Sequence, residues 1–225
     1  MYYKTILLIH ARTQIHTDRQ NCKMRRKFTE IAFTPGVKEA QSHYGSREMY
    51  ENFVKQGITE DVLTDKEIEF IKARDSFYMG TVGSNGYPYI QFRGGATGFL
   101  KIIDEKTLGF ADFKGNLQYI SVGNLTDNNR VFLFLMDYAH RRRLKIWGRA
   151  EAIDSDSELL AELVVPNYTA EVERGIIIKI DAMSWNCPQH IPLKYSAAEV
   201  AAYTAPLKAK IKELETKLAE FTQNS

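Results

Sequence analysis

The sequence predicts a mainly β (α+β) fold, a closed antiparallel barrel of six to seven short strands with helices packed outside it. Three observations carry this. Runs of β-forming residues recur from residue 76 to residue 180, and tight turn signals join most of them. Helical periodicity is confined to the two ends and to short intervals between strands. The apolar fraction is 44% over 225 residues, which is enough for one domain with a full core.

Residues 1–23 carry basic and His residues in irregular order with no clear period. They read as a leader that adds little to the fold, with an N-terminal strand as the alternative. Residues 24–200 are expected to form the main domain, and 201–225 a C-terminal helix. Residues 36–56 read as helical, interrupted at Gly45. Thr64-Asp65-Lys66-Glu67 is a capping box ahead of Ile68 and Ile71, which predicts a helix at 65–74. Ser76–Val82 is the first strand, and Asn85-Gly86 is the hairpin turn into Tyr87–Phe92. Phe99–Ile103, Thr107–Phe113, Val131–Tyr138, Leu144–Ile153 and Gly175–Ile180 supply the further strands. Short helices are expected over Leu117–Val122, ending near Gly123, and from Ser155 or Asp156 to about Leu163. In the tail, Leu207, Ile211, Leu214, Leu218 and Phe221 form an a/d stripe over about two heptads, which could lie on the barrel or on a dimer mate.

Composition narrows the function classes. A net charge of +2 gives no general nucleic-acid footprint. No apolar run approaches the roughly 20 residues that span a bilayer, so no membrane partner is expected. Cys22 and Cys187 form neither a disulfide framework nor a zinc spacing, and the histidines show no ligand spacing, so no metal is expected. A reducing, cytoplasmic setting is the default.

Four segments could carry chemistry. In Gln91-Phe92-Arg93-Gly94-Gly95, strand alternation puts Gln91 and Arg93 on one face. The guanidinium fork suits phosphate, and the glycine pair would let a ligand approach the backbone. An Arg at a strand end before a loose turn would read the same way. In Asp112-Phe113-Lys114-Gly115-Asn116-Leu117-Gln118-Tyr119, a strand ends and a helix begins beside a lysine, which can make an anion site or a plain turn capped by Asn116. From Arg141 to Arg149, alternation gathers Arg143, Lys145, Trp147 and Arg149 on one face. That face would suit an anionic planar ligand or single-stranded nucleic acid, or would simply be solvated. Trp185-Asn186-Cys187-Pro188-Gln189-His190 is a polar loop after a strand, where an inert Cys187 outweighs a nucleophile paired with His190.

Taken as an ordered set, these segments resemble a family. Gly80–Pro88, Arg93-Gly94-Gly95, Gly98–Leu100, Asp104, Gly109–Asp112, Gly115-Asn116 and Arg142–Gly148 are similar to the pyridoxamine 5′-phosphate oxidase-like flavoproteins, and Trp185–Ile191 resembles one branch of them. The resemblance covers roughly residues 25 to 220. It implies a six-stranded split barrel and a homodimer with two FMN sites at its interface. It implies that Gln91, Arg93, Gly94 and Gly95, with the turn at Lys114, Gly115 and Asn116, hold the ribityl phosphate. Asp112 and Gln118 would sit nearby, Arg143 would contact the ring, and the Trp185 loop would close the site from the mate. It names no catalytic acid or base. The chain lacks the Arg-x-His pair and the C-terminal Arg-Leu segment that grip pyridoxamine phosphate. The expected function is therefore an FMN-dependent oxidoreductase with another substrate. The rivals are a non-catalytic flavin binder, a haem- or deazaflavin-binding split barrel, and a single-stranded nucleic-acid binder.

Overall fold

The computed structural model describes residues 27–55, 61–154, 158–185 and 187–223. Residues 1–23, which the sequence predicts to be a leader or a strand, lie outside them. The chain divides into two compact units. One holds the residues up to Leu135 together with Leu144–Trp185, and the other holds Met136–Arg143 together with the segment after Trp185.

Among the described residues of the first unit, four short helices precede the sheet, and the first three are α1 (Lys27–Ala32), α2 (Pro35–His43) and α3 (Arg47–Lys55). The break between α2 and α3 falls at Gly45, whose φ of 73° suits glycine, as the sequence predicts. Helix α4 (Asp65–Lys72) starts where the capping box places it. The Glu67 carboxylate accepts from the Thr64 amide at 3.2 Å and from the Thr64 hydroxyl. It also accepts from the Trp185 indole N–H, so one carboxylate ties the helix start to the end of the last strand. Phe70 and Ile71, the apolar face of this turn, are buried against the barrel.

Seven strands form one sheet: β1 (Ser76–Val82), β2 (Pro88–Gly94), β3 (Lys101–Asp104), β4 (Thr107–Phe113), β5 (Arg130–Asp137), β6 (Arg142–Ile153) and β7 (Val172–Trp185). Their order is β2-β1-β5-β6-β7-β4-β3, and the registered pairs are antiparallel. The sheet thus has the seven strands read from the sequence, one more than the six that the resemblance implies. β7 runs on to Trp185, which pairs with Leu144, so Trp185 ends a strand instead of sitting in a loop. The third strand starts at Lys101, because Phe99 and Leu100 turn into the core ahead of it.

The sheet rolls up on its apolar face. Phe77 of β1 meets Phe110 of β4 at 5.4 Å between ring centroids and Phe99 at 5.5 Å, although β5, β6 and β7 separate β1 from β4 in the sheet. Such contacts require the sheet to curl round on itself, as a split barrel does. Inward side chains alternate with outward ones along each strand. On β4, Leu108 and Phe110 enter the main core. Gly109, Ala111 and Phe113 face helix α6 (Glu158–Leu163). A Cβ at Gly109 would lie 2.8 Å from Leu163, so glycine lets that helix approach. Helix α5 (Ile120–Asp127) links β4 to β5. It begins three residues later than the sequence predicts and runs through Gly123. The delay has a backbone cause: Leu117 and Tyr119 hold φ of 62° and 51°, outside the helical region.

The second unit comprises the β5–β6 hairpin tip and the C-terminal segment. At the tip, Asp137 accepts from the His140 amide at 3.0 Å. Helix α7 (Ala197–Gln223) begins with a reciprocal box: the Glu199 amide donates to the Ser196 hydroxyl at 3.1 Å, and the Ser196 amide donates to the Glu199 carboxylate at 2.7 Å.

Asp61, buried beside the first unit's core, accepts from Lys106 at 3.0 Å and lies 3.5 Å from Lys27. Burial pushes its carboxyl up, but the hydrogen bond and charge of Lys106, with Lys27, outweigh it and hold the pKa below its ordinary value of 3.8. A lowered pKa contributes stability above the unfolded value and loses it as pH falls through the folded one. Asp61→Asn should therefore lower the urea midpoint at pH 7, and the gap to wild type should close in titrations run below about pH 4.

Candidate functional site

Continuing the inward alternation to one end of the barrel leads from apolar to polar side chains. On β2 the inward series is Tyr89, Gln91 and Arg93. On β4, Asp112 follows Phe110, and on β7, Arg174 precedes Ile176. These residues meet with the β4–α5 turn and the start of α5 around a cavity of about 40 Å3, room for more than one water molecule. Gln91, Arg93, Asp112, Gly115, Asn116 and Gln118 line it as predicted, together with Tyr119, Ser121, Glu173 and Arg174.

An ion-pair network fixes this wall. Arg93 donates to Asp112 at 2.5 Å, with 11% and 6% of the two side chains exposed. Arg174 lies 3.7 Å from Asp112 and 3.2 Å from Glu173. Its guanidinium sits 4.9 Å from the Tyr119 ring centroid, and the Tyr119 hydroxyl donates to Glu173 at 2.9 Å. On the opposite side the Ser121 hydroxyl donates to the Gln91 side-chain oxygen at 2.8 Å. Burial pushes the Asp112 carboxyl above its ordinary range, against the opposing pull of Arg93 and then Arg174. Burial likewise lowers Arg93, with Asp112 acting against it.

Two kinds of donor lie at this end of the barrel. The Nε of Arg93 is buried and has no hydrogen-bond partner among the described residues. Helix α5 has no side-chain cap, and its first residues, Ile120, Ser121 and Val122, line the cavity. An uncapped helix start offers free amides and the positive end of the helix dipole.

Other predicted site residues have other surroundings. Lys114 points away from the cavity, half-exposed, and holds Glu171 at 3.0 Å. The glycine pair serves packing: a Cβ at Gly95 would lie 2.8 Å from Phe99, and one at Gly94 would lie 2.9 Å from Phe92. Trp185 stands edge-on to Phe70 at 4.8 Å. Arg143 belongs to the second unit, half-buried at the start of β6. Cys187 and His190 are exposed in that unit too. Trp147 stacks with Phe28 and meets Phe132, and Arg149 pairs with Asp181, so this face is not a bare stacking platform. Sequence reading missed Ser121, Glu173 and Arg174. Arg174 lies two residues before Ile176 on a strand of inward isoleucines, a signal that alternation could have shown.

Among the described residues no group of three His, Cys, Asp or Glu could hold a metal, and no helix is long and apolar enough to cross a membrane.

The Arg93–Asp112 pair should behave as a buried salt bridge. Arg93→Met leaves Asp112 with Arg174 alone and should cost roughly 3 kcal/mol of unfolding free energy. The double variant Arg93→Met/Asp112→Leu should return to within about 1 kcal/mol of wild type, measured by urea titration at pH 7.

Similarity to known proteins agrees with this architecture. The sequence profile described as pyridoxamine 5′-phosphate oxidase matches residues 63–186. No curated protein matches. A pyridoxamine 5′-phosphate oxidase homologue from Lactobacillus delbrueckii shares 19% identity, with 55% of this chain and 94% of that one covered at a TM-score of 0.43. HupZ from Group A Streptococcus shares 16%, with 59% and 100% covered at 0.45. An FMN-binding protein from Syntrophomonas wolfei shares 15%, with 65% and 97% covered at 0.42. The profile match runs from the residue before Thr64 of the capping box to the end of β7, more than half of the 225 residues, and the chain belongs to the pyridoxamine 5′-phosphate oxidase family.

Proposed function

We propose that the chain binds FMN with its phosphate in the cavity between Arg93 and the start of α5, and that it serves as an FMN-dependent oxidoreductase acting as a homodimer in the cytoplasm. The observation that carries this is a polar cavity lined by Arg93 and Arg174 into which an uncapped helix start also opens. A phosphate oxygen there would take charge-assisted bonds from a guanidinium and from the helix-start amides. The site is otherwise neutral, since Arg93 and Arg174 are balanced by Asp112 and Glu173. The extra attraction for a dianion therefore comes from the α5 amides, with Ser121 and Gln118 at hand on the cavity wall. Tyr119, Val122, Glu173 and Arg174 also border an open groove of about 640 Å3, with room for a larger part of a ligand beyond the phosphate.

Bound FMN would supply hydride or single-electron exchange. The chain's own residues would bind and orient it. Asp112 would hold Arg93 in place through the short ion pair, and Glu173 would hold both Arg174 and Tyr119. Gln91 would fix the Ser121 hydroxyl at the helix start.

Two measurements test the reading. FMN should bind at least about tenfold more tightly than riboflavin, followed by quenching of flavin fluorescence, because the phosphate bonds are charge-assisted. Equal affinities would remove the phosphate assignment, and a Soret band in the purified protein would point to haem instead. With pyridoxamine phosphate under air, FMN-loaded protein should turn over well below about 1 per second. The chain lacks the Arg-x-His pair and Arg-Leu segment that would clamp a second phosphate, and an ordinary enzyme rate would show that another cluster replaces them.

A further inference from the structure

We propose that α7 pairs with α7 of a second copy as a parallel, in-register two-stranded coiled coil. The helix is 27 residues long, and its apolar stripe is longer than the Leu207–Phe221 repeat alone shows. Taking Leu207 as position d, the a and d positions run Val200, Thr204, Leu207, Ile211, Leu214, Leu218 and Phe221, an unbroken alternation of four and three residues. Val200, Leu207, Ile211, Leu214 and Leu218 are 48%, 57%, 55%, 53% and 67% exposed. Pro206 falls at position c, off the apolar stripe, so its ring does not enter the seam.

The charges choose the occupant and its direction. In a parallel pair each g residue faces the e residue five places on in the mate. That sets Lys210 against Glu215 and Tyr203 against Lys208, with Lys217 against the neutral Thr222. No like charges meet. In the antiparallel pair that matches the same layers, Leu207 would face Leu218, and Lys210 would face Lys217 twice. Ile211 at a and Leu207 and Leu214 at d are the β-branched and γ-branched choices that favour two parallel strands. Glu213, at c, already bridges Lys210 at 2.9 Å and Lys217 at 2.7 Å along the outer edge, which holds both g lysines beside the seam.

This pairing deepens the homodimer reading, and the test separates the two. In full-length protein with Cys22→Ser and Cys187→Ser, single cysteines are placed at Leu207, at Leu218 and at Ala209, an outward f position. Mild oxidation should link Leu207→Cys to itself and Leu218→Cys to itself, each at least about tenfold faster than Ala209→Cys, because only facing d or a positions meet disulfide geometry. A mixture of the two that yields mainly the mixed 207–218 link would show an antiparallel pair and overturn the proposal. Sedimentation equilibrium of the cysteine-free parent closes the remaining cases. A dimer without enhanced links overturns the helix pairing but leaves the homodimer standing, and a monomer at micromolar concentration overturns both.

Discussion

Phe77 on β1 touches Phe99 and Phe110 on the far side of the sheet, and those ring contacts set where everything else can be. A sheet in which β1 and β4 are separated by three strands brings them together only by rolling, and the rolled sheet has an interior with an open end. At that end, the same alternation that sends Leu108, Phe110, Ile176 and Ile178 into the core sends Asp112 and Arg174 to the rim of it. Arg93 arrives from β2 on the inward face of its own strand. The candidate site is thus the last layer of the barrel core, with charged groups in place of apolar ones.

That origin explains the electrostatics. A group at the end of a core layer is desolvated but not sealed, so it must be paired. Arg93, Asp112, Arg174 and Glu173 answer one another almost completely. Burial works against ionisation of both Arg93 and Asp112, and the pairing keeps the two charges tolerable. What is left over is directional: the uncapped start of α5 at the cavity. Such a site selects by geometry more than by net charge. This differs from a lysine-lined cradle, and Lys114, held by Glu171, contributes little to it.

The strands were legible because β-rich runs alternate with strong turn signals, and the Thr64–Glu67 box fixed the start of α4. That Gln91 and Arg93 share one face followed from period-two alternation, while the inward sense of that face and the place of Asp112 on it came from the sheet's curvature. The misses share a cause, since each depended on contacts distant in sequence. Nothing local tells that Gly95 must admit the ring of Phe99, or that β7 continues to Trp185 because Leu144 pairs with it there. The left-handed residues Leu117 and Tyr119 are not glycines, so the sequence reads as helix where the chain turns. The Ser196–Glu199 box, by contrast, was readable in the sequence and marks a helix start well ahead of the leucine stripe.

The strand order also bears on how the chain reaches this structure. Lys179 of β7 donates to Thr107 of β4 across 72 positions of sequence, and β1 pairs with β5, with three strands and a helix intervening. Hairpins such as β1–β2 and β3–β4 can close early, since short loops join them. The barrel cannot close until β7, the last strand made, docks between β6 and β4. Loop-closure entropy must be met before those contacts repay it, which places folding in the slow, millisecond-to-second class typical of non-local β topologies. Until β7 arrives, β4 and β6 expose unpaired edges, and the nascent chain is most prone to self-association in that interval.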